Sequence, residues 1–337
     1  MKTKVLSSVF ILFLIFAVGA QEATVVYTEG SVYVKDHTGA QWDPNIGSQL
    51  VFNDTVLTGY NGFTELDTGS STISIHYNSV FKFLEAGKAG EKQSVFSCML
   101  GSVYLKVQKI TGQGPRITSG SMAAGVRGTE FAVYSGVDGS SLIHVTKGVV
   151  EVSSEGRTVS VNADEAVEVK LGRPPGEKYM VKQPIDFSKW NDSKYDEFIK
   201  DPVGSIKAIE GRMLEYIQEI KTLYSEYQRL LNIIEGEEAK LKVIEEEQGR
   251  EKAKEYYLKE IIPINNEATL VYLNVRFNSL SALSMRRFVA GRMYLFMKTE
   301  YINNQNAKLY KDFLAVHKKV LSYFTKHVLQ FVVDADI

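Results

Sequence analysis

The chain is poorest in cysteine: among 337 residues there is one, Cys98. A lone cysteine cannot close an internal disulfide or build a cysteine-based metal centre, so the fold has to hold through packing alone. Cys98 also lies in an apolar run, Val95-Phe96-Ser97-Cys98-Met99-Leu100, with no charged neighbour to lower its pKa, and reads as an inert core residue. Net charge is nearly absent too. With Lys2 and Lys4 set aside, 37 basic residues face 40 acidic ones, which removes any global case for nucleic acid. Long apolar runs are confined to the N-terminus, so no later segment is predicted to span a membrane. Proline is scarce, at seven residues, and histidine scarcer, at five. His37, His76, His144, His317 and His327 are scattered without metal-ligand spacing, and no metal or cofactor is expected. No nucleophile elbow or phosphate loop occurs. Gly112-Gln113-Gly114-Pro115 reads as a turn, because no helix signal follows it.

The apolar N-terminus has the three zones of an export signal. Lys2 and Lys4 supply charge, Val5 to Val18 is apolar apart from Ser7 and Ser8, and Val18-Gly19-Ala20 presents small residues for cleavage after Ala20. No cysteine follows that would take a lipid. Residues 1–20 are therefore expected to be a signal peptide and the remainder periplasmic or secreted, with membrane attachment only if the leader is retained.

Glycine divides what remains. Residues 21–175 hold 19 glycines and residues 176–337 hold 6. Pro174, Pro175 and Pro184 mark a seam, so 172–185 is read as a linker between a region at 21–171 and another at 186–337. In the first region apolar and polar residues alternate: Val32 and Val34 with Tyr33, Ile73 and Ile75 with Ser74, Val150 and Val152 with Glu151. Asp36 to Gly39, Tyr60-Asn61-Gly62, Asp67 to Ser70 and Asp138-Gly139-Ser140 are turn signals between the runs. Gly30-Ser31-Val32-Tyr33-Val34-Lys35 recurs as Gly101-Ser102-Val103-Tyr104-Leu105-Lys106, and in degenerate form as Gly148-Val149-Val150-Glu151-Val152. Each copy is read as a glycine corner leading into a strand. The expected fold is an all-β region, a twisted solenoid-like coil in preference to a sandwich, followed by a separate helical bundle.

The second region has helical periodicity. Asp201-Pro202 is a cap with proline in the first turn. Ile206, Ile209, Met213, Tyr216, Ile220, Leu223, Tyr227, Leu230 and Ile234 then form an a/d seam over four heptads. That seam is expected to be intramolecular core, with a homo-oligomer as the alternative. The charged stretch Glu235 to Glu260 is assigned to a second helix, ended by Pro263. A third is read from Leu270, Leu273, Phe277, Leu280 and Phe288, and a fourth from Leu309, Phe313, Val316, Val320, Phe324, Val328 and Phe331. Together they predict an antiparallel bundle with a long helical hairpin. Trp42 and Trp190 are aromatic faces able to stack on sugars, though packing is the favoured reading.

One segment is distinctive: Thr118-Ser119-Gly120-Ser121-Met122-Ala123-Ala124-Gly125-Val126-Arg127-Gly128-Thr129-Glu130-Phe131-Ala132-Val133. It resembles the FecR domain, in which a threonine-led strand runs through small residues into Val-Arg-Gly-Thr-x-Phe-x-Val. Leu57 to Phe63, Asp67 to Ile73 and Val159 to Val167 agree with other elements of that domain, so the resemblance spans about residues 26–170. Ser119 stands where the family usually has proline. Within the motif, Val126, Arg127, Gly128, Thr129 and Phe131 are expected to be structural, Gly128 through its backbone and Arg127 through bonds to carbonyls or to Glu130. The best-known members are membrane-spanning regulators with a cytoplasmic anti-sigma segment and an iron-siderophore sensing region. This sequence departs from that plan before its apolar stretch and in its helical second half. The resemblance implies the domain type and an extracytoplasmic location, not iron. The leading expectation is a non-enzymatic binding or scaffold protein whose partner is an envelope protein or glycan. A soluble sensor component and a glycan-acting enzyme with paired carboxylates are the competing readings.

Overall fold

The computed structural model describes residues 23–36, 38–88, 90–109 and 114–333. The expected signal peptide with its expected cleavage position, His37 and the first half of the 112–115 turn lie outside the described residues.

Among the described residues seventeen strands precede the helices. In chain order they are β1 (Ala23–Glu29), β2 (Val32–Lys35), β3 (Gln41–Trp42), β4 (Gln49–Leu50), β5 (Thr55–Thr58) and β6 (Phe63–Asp67). Next come β7 (Ser71–Ile75), β8 (Val80–Lys88), β9 (Glu91–Val107), β10 (Arg116–Thr118), β11 (Ala123–Val126) and β12 (Glu130–Ser135). The last are β13 (Ser141–Lys147), β14 (Val149–Ser154), β15 (Arg157–Asn162), β16 (Glu165–Val169) and β17 (Lys178–Met180).

Hydrogen bonding arranges them in two layers. The first runs β4-β1-β6-β7-β9-β12-β13-β16-β17. The second runs β3-β2-β5-β8-β9-β10-β11-β14-β15, with β9 and β10 its parallel pair. Strand β9 belongs to both: Glu91 to Leu100 pair in the second layer and Gly101 to Val107 in the first. The sheet is therefore continuous but not closed, and β4, β17, β3 and β15 each pair on one side only.

The layers enclose one apolar core. Val34, Val56, Phe81, Phe83, Phe96 and Val152 reach in from one side, and Leu66, Ile73, Val103, Phe131, Ile143 and Val167 from the other. The alternation read from the sequence holds at the residues that defined it: Val32, Val34, Ile73, Ile75, Val150 and Val152 are buried, whereas Tyr33 and Glu151 face outward. The repeated glycines stand where the chain turns from layer to layer. Gly101 has a φ of 93°, in the left-handed region. The stretch read as a linker contributes β17, whose residues pair with β16 from Glu165↔Met180 to Val167↔Lys178.

Helix α1 (Phe187–Lys200) lies across the first layer. The ammonium of Lys194, only 4% exposed in its side chain, is held at 2.8 Å from Glu168 of β16 and 2.6 Å from Glu197. Trp190 donates its indole N–H to the same Glu168 at 3.2 Å and packs against Tyr134 and Phe187, so its face is used internally. Helix α2 (Pro202–Gln248) begins as expected, with Asp201 accepting the Gly204 N–H at 2.9 Å. At 47 residues it is about 70 Å long by the 1.5 Å rise per residue.

Two helix boundaries differ from the sequence reading. The charged stretch from Glu235 does not start a new helix; α2 runs through it to Gln248. The reversal comes at Gly249, whose φ of 85° ends the helix. Pro263 does not end a helix either. Residues 250–300 are helical throughout: α3 (Arg250–Tyr256), a π turn (Tyr257–Ile261), α4 (Ile262–Ser284), a second π turn (Met285–Ala290) and α5 (Gly291–Glu300). The first π turn explains the exception. Just before the proline, Ile262 donates to Tyr257, one residue farther back than in an α-helix, which re-registers the ladder where Pro263 has no N–H to give.

Helices α6 (Lys308–His327) and α7 (Leu329–Val333) complete the bundle. The seam from Ile206 to Ile220 is buried within the chain, in a cluster that also holds Phe313, Val320 and Phe324 of α6. Leu230 and Ile234 pack on Ala268, closing the hairpin farther out. The two regions share hydrophobic clusters. Val80, Met99, Leu100 and Leu171 sit in the helical core, and Leu84 and Val95 pack on Leu280. Among the described residues no helix is long and apolar enough to cross a membrane.

His317 is stacked between Tyr294, at 5.0 Å, and Phe313. Burial, with Arg286 nearby, holds its pKa below the usual histidine value. The depressed folded value means that its contribution to stability is complete above about pH 6.5 and is lost as pH falls through the folded pKa. Denaturant titrations at pH 7 and pH 5 should therefore show a smaller loss for His317→Phe than for wild type. Equal losses would show that His317 is not coupled to folding.

Candidate binding site

Strands β8 to β11 and β14 alternate, so the face turned away from the core presents Ser97, Met99, Arg116, Thr118 and Ser153 to the helices. Helix α4, already packed on Leu84 and Val95 through Leu280, is also hydrogen-bonded to this face. Asn274 accepts the N–H of Gly87 and donates to its carbonyl, each at 3.0 Å, copying a strand's pairing with a side-chain amide. A Cβ at Gly87 would lie 2.6 Å from the Leu270 carbonyl, so only glycine permits this approach.

Beside that contact α2 and α4 stand off the sheet and leave a cleft of about 720 Å³, within the usual range of ligand sites. Its floor is rich in hydroxyls. Ser121 donates to Ser141 at 2.9 Å, Ser141 donates to Ser119 at 2.6 Å, and Ser119 accepts the Met122 N–H at 3.2 Å. This relay orders the β10–β11 connection, with Ser119 where the family's proline is usual. Its walls carry Asn274, Asn278, Gln218 and two guanidinium groups. Arg212 is paired with Glu215 at 2.6 Å and lies over the Tyr216 ring at 4.6 Å. Arg116 lies over Phe277 at 5.7 Å and has no carboxylate partner among the described residues. Burial first, and then the charge of Arg212, hold the Arg116 pKa below the usual arginine value. Two buried polar atoms along this lining, Thr118 Oγ1 and Arg212 Nε, have no hydrogen-bond partner among the described residues. The cleft thus offers hydroxyl, amide and guanidinium groups beside two aromatic rings, with the carboxylates of Glu155, Glu215 and Glu219 also in its lining, a mixture that suits a polyhydroxylated ligand.

The motif singled out in the sequence is split by the fold. Its front half, Thr118 to Ala123, lines the cleft. Its back half makes the corner from β11 to β12. Val126 and Phe131 are in the core, Gly128 has a φ of 63°, and Thr129 is fully buried, exchanging backbone hydrogen bonds with Val107 at 2.8 and 3.1 Å. Arg127 is exposed and does not pair with Glu130. That carboxylate is instead bound by Tyr104 at 3.2 Å and faced by Lys147 and Lys106. The reason is register: Glu130 opposes Lys106 and Lys147 on the neighbouring strands, while Arg127 lies outside the ladder.

Cys98 is in the core, with burial pushing its thiol up to about 12. Trp42 packs against the same core. His144 contacts the Val181 carbonyl at 3.2 Å, and His76 meets the edge of Phe63. These two histidines line a second hollow, of about 620 Å³, which residues 181–187 border. No group of three or more His, Cys, Asp or Glu side chains suited to a metal occurs among the described residues. Sequence reasoning missed Arg116, Arg212, Asn274 and Asn278. Nothing local distinguishes them, since the cleft joins residues far apart in the chain.

Comparison with known proteins places a label on the β region. Residues 54–151 match the family model described as FecR protein, so this segment, from just before β5 into β14, carries a FecR domain. The match is narrower than the 26–170 of the resemblance. No curated protein matches the chain. Two crystal structures of a protein titled "putative anti-sigma factor" from Parabacteroides distasonis ATCC 8503 are similar to part of it. Each is 14% identical, with a TM-score of 0.32, covering 38% of this chain and 59% of that one. The chain therefore spans about three fifths of those structures' length, and so weak a likeness says nothing of function.

Proposed function

We propose that this protein is an extracytoplasmic, non-enzymatic binding protein whose FecR domain and helical bundle hold a saccharide of the cell envelope between them. The observation that carries the reading is the cleft itself. It concentrates hydroxyls, amides and a carboxylate-free guanidinium beside the rings of Tyr216 and Phe277. Sugars are recognised by such a mixture, polar groups meeting hydroxyls and rings meeting the C–H faces. The export signal read in residues 1–20 supports the compartment, and the FecR match supports a regulatory rather than catalytic kind of domain.

Retention of the purified protein on immobilised envelope polysaccharide and on peptidoglycan sacculi tests the proposal. Wild type should bind one of them, and Gln218→Trp, which narrows the cleft from the exposed side of α2, should bind at least about tenfold more weakly. Equal retention of both proteins, or retention of neither, would sink it.

A second reading, a soluble sensor component, draws support from the cleft's two walls, one from each region. A ligand there contacts the FecR domain and α2 together, so its occupancy biases how they sit. Unchanged transcription of envelope genes after deletion of the gene would remove that reading.

A further inference from the structure

The cleft does not stop at Arg116. A third hollow, of about 500 Å³, opens on the other side of that residue, and it shares Arg116, Ala123 and Ser153 with the lining of the cleft. This arm continues along the same sheet face toward Lys88 and Gln93, over a floor that includes Gly114 and Gly125. Gln93 fixes one side by donating to the Gly114 carbonyl at 2.9 Å. A Cβ built at Gly125 meets nothing within 4 Å among the described residues, so they leave the space above that strand open. From Lys88 on β8 to Ser153 on β14 the floor crosses four strand spacings, roughly 19 Å at 4.8 Å each. That is too long for one sugar ring and suited to several linked in a line.

The junction also has a chemical preference. Arg116 is half-buried, lies over the Phe277 ring, is faced by the like charge of Arg212 and has no carboxylate ion-paired to it among the described residues. Thr118 Oγ1, in a residue only 7% exposed and one alternate position along the same strand, lacks a hydrogen-bond partner among the described residues. A ligand oxyanion between them would receive a charge-assisted, two-pronged contact from the guanidinium and a hydroxyl donor from Thr118. We propose that cleft and groove form one continuous channel for a linear acidic oligosaccharide, with an acid group of one sugar seated on Arg116 at the junction. This rests on the saccharide reading above and adds to it length and charge.

Calorimetric titration with two series tests it: oligogalacturonates and cello-oligosaccharides, each from monomer to hexamer. Affinity for the acidic series should rise at least about tenfold between dimer and pentamer, and should exceed that for the neutral series at every length. Gly125→Phe, which fills the open arm without entering the core, should reduce pentamer affinity to that of the dimer. Arg116→Gln should erase the difference between acidic and neutral ligands. Urea midpoints of both variants confirm that they are folded. Acidic binding that ignores length and the Gly125→Phe change overturns the channel. Equal affinity for the two series overturns the seat on Arg116. Failure of both series at all lengths, with folded protein, overturns the saccharide reading together with its extension.

Discussion

Gly101→Val is expected to lower the stability of the chain by at least about 3 kcal/mol and to abolish the single cooperative urea transition, if the protein accumulates at all. The reason is twofold. At a φ of 93° Gly101 occupies backbone space that a β-branched residue enters only with strain. A Cβ there would also lie 2.1 Å from the Ser79 hydroxyl oxygen and 2.4 Å from the Ser79 Cα, so backbone would have to move. That backbone is not free. Ser79 accepts the Ser102 N–H at 2.9 Å through its hydroxyl, and Thr58 holds the Ser79 N–H at 2.8 Å. The corner is where β9 leaves one layer for the other, so displacement disturbs both. Gly125→Ala is the control, with a change within about 0.5 kcal/mol, because its added methyl meets open space. Comparable losses for the two variants in denaturant titration would show that the corner has no special demand for glycine.

The second large effect lies within the motif. Phe131→Ala should cost about 3–5 kcal/mol, the transfer of a fully buried ring plus the cavity left between two layers that cannot collapse independently. Arg127→Ala, four residues earlier, should stay within about 0.5 kcal/mol, since that side chain is exposed and makes no ion pair among the described residues. Side-by-side unfolding of the two variants checks both. A costly Arg127→Ala would mean that the guanidinium has a structural role the fold does not display.

Much of the architecture was legible from local pattern. Alternation at Val32, Val34, Ile73 and Ile75 named core residues correctly because a strand's period of two is set by backbone geometry, whatever it packs on. The seam from Ile206 to Ile234 was legible for the same reason at the helical period, and so was the Asp201 cap, whose chemistry acts within four residues. Reading failed where a local signal was overruled by something distant or unusual. Pro263 looks like a stop, but a π turn accommodates it and packing on α2 carries the helix on. Glu235 to Gln248 looks like a fresh start, but the chain has no reason to turn before Gly249. The linker reading of 172–185 passed over β17, since three exposed residues carry no pattern until a neighbouring strand pairs with them. Of the preferred coil, what appears is two layers sharing β9, a relation no run of residues announces.

Local pattern was enough to place strands first and helices second, glycines at corners, the apolar faces, and a FecR-like motif. Those properties depend on contacts between near neighbours along the chain. Contacts between distant segments put the helices on the outer face of the sheet and leave a cleft beneath them. Only there do Arg116 and Arg212, nearly a hundred residues apart in sequence, face each other. The reason is physical: a ligand site of this kind is the space left by two packed surfaces, and its shape exists only once both have met.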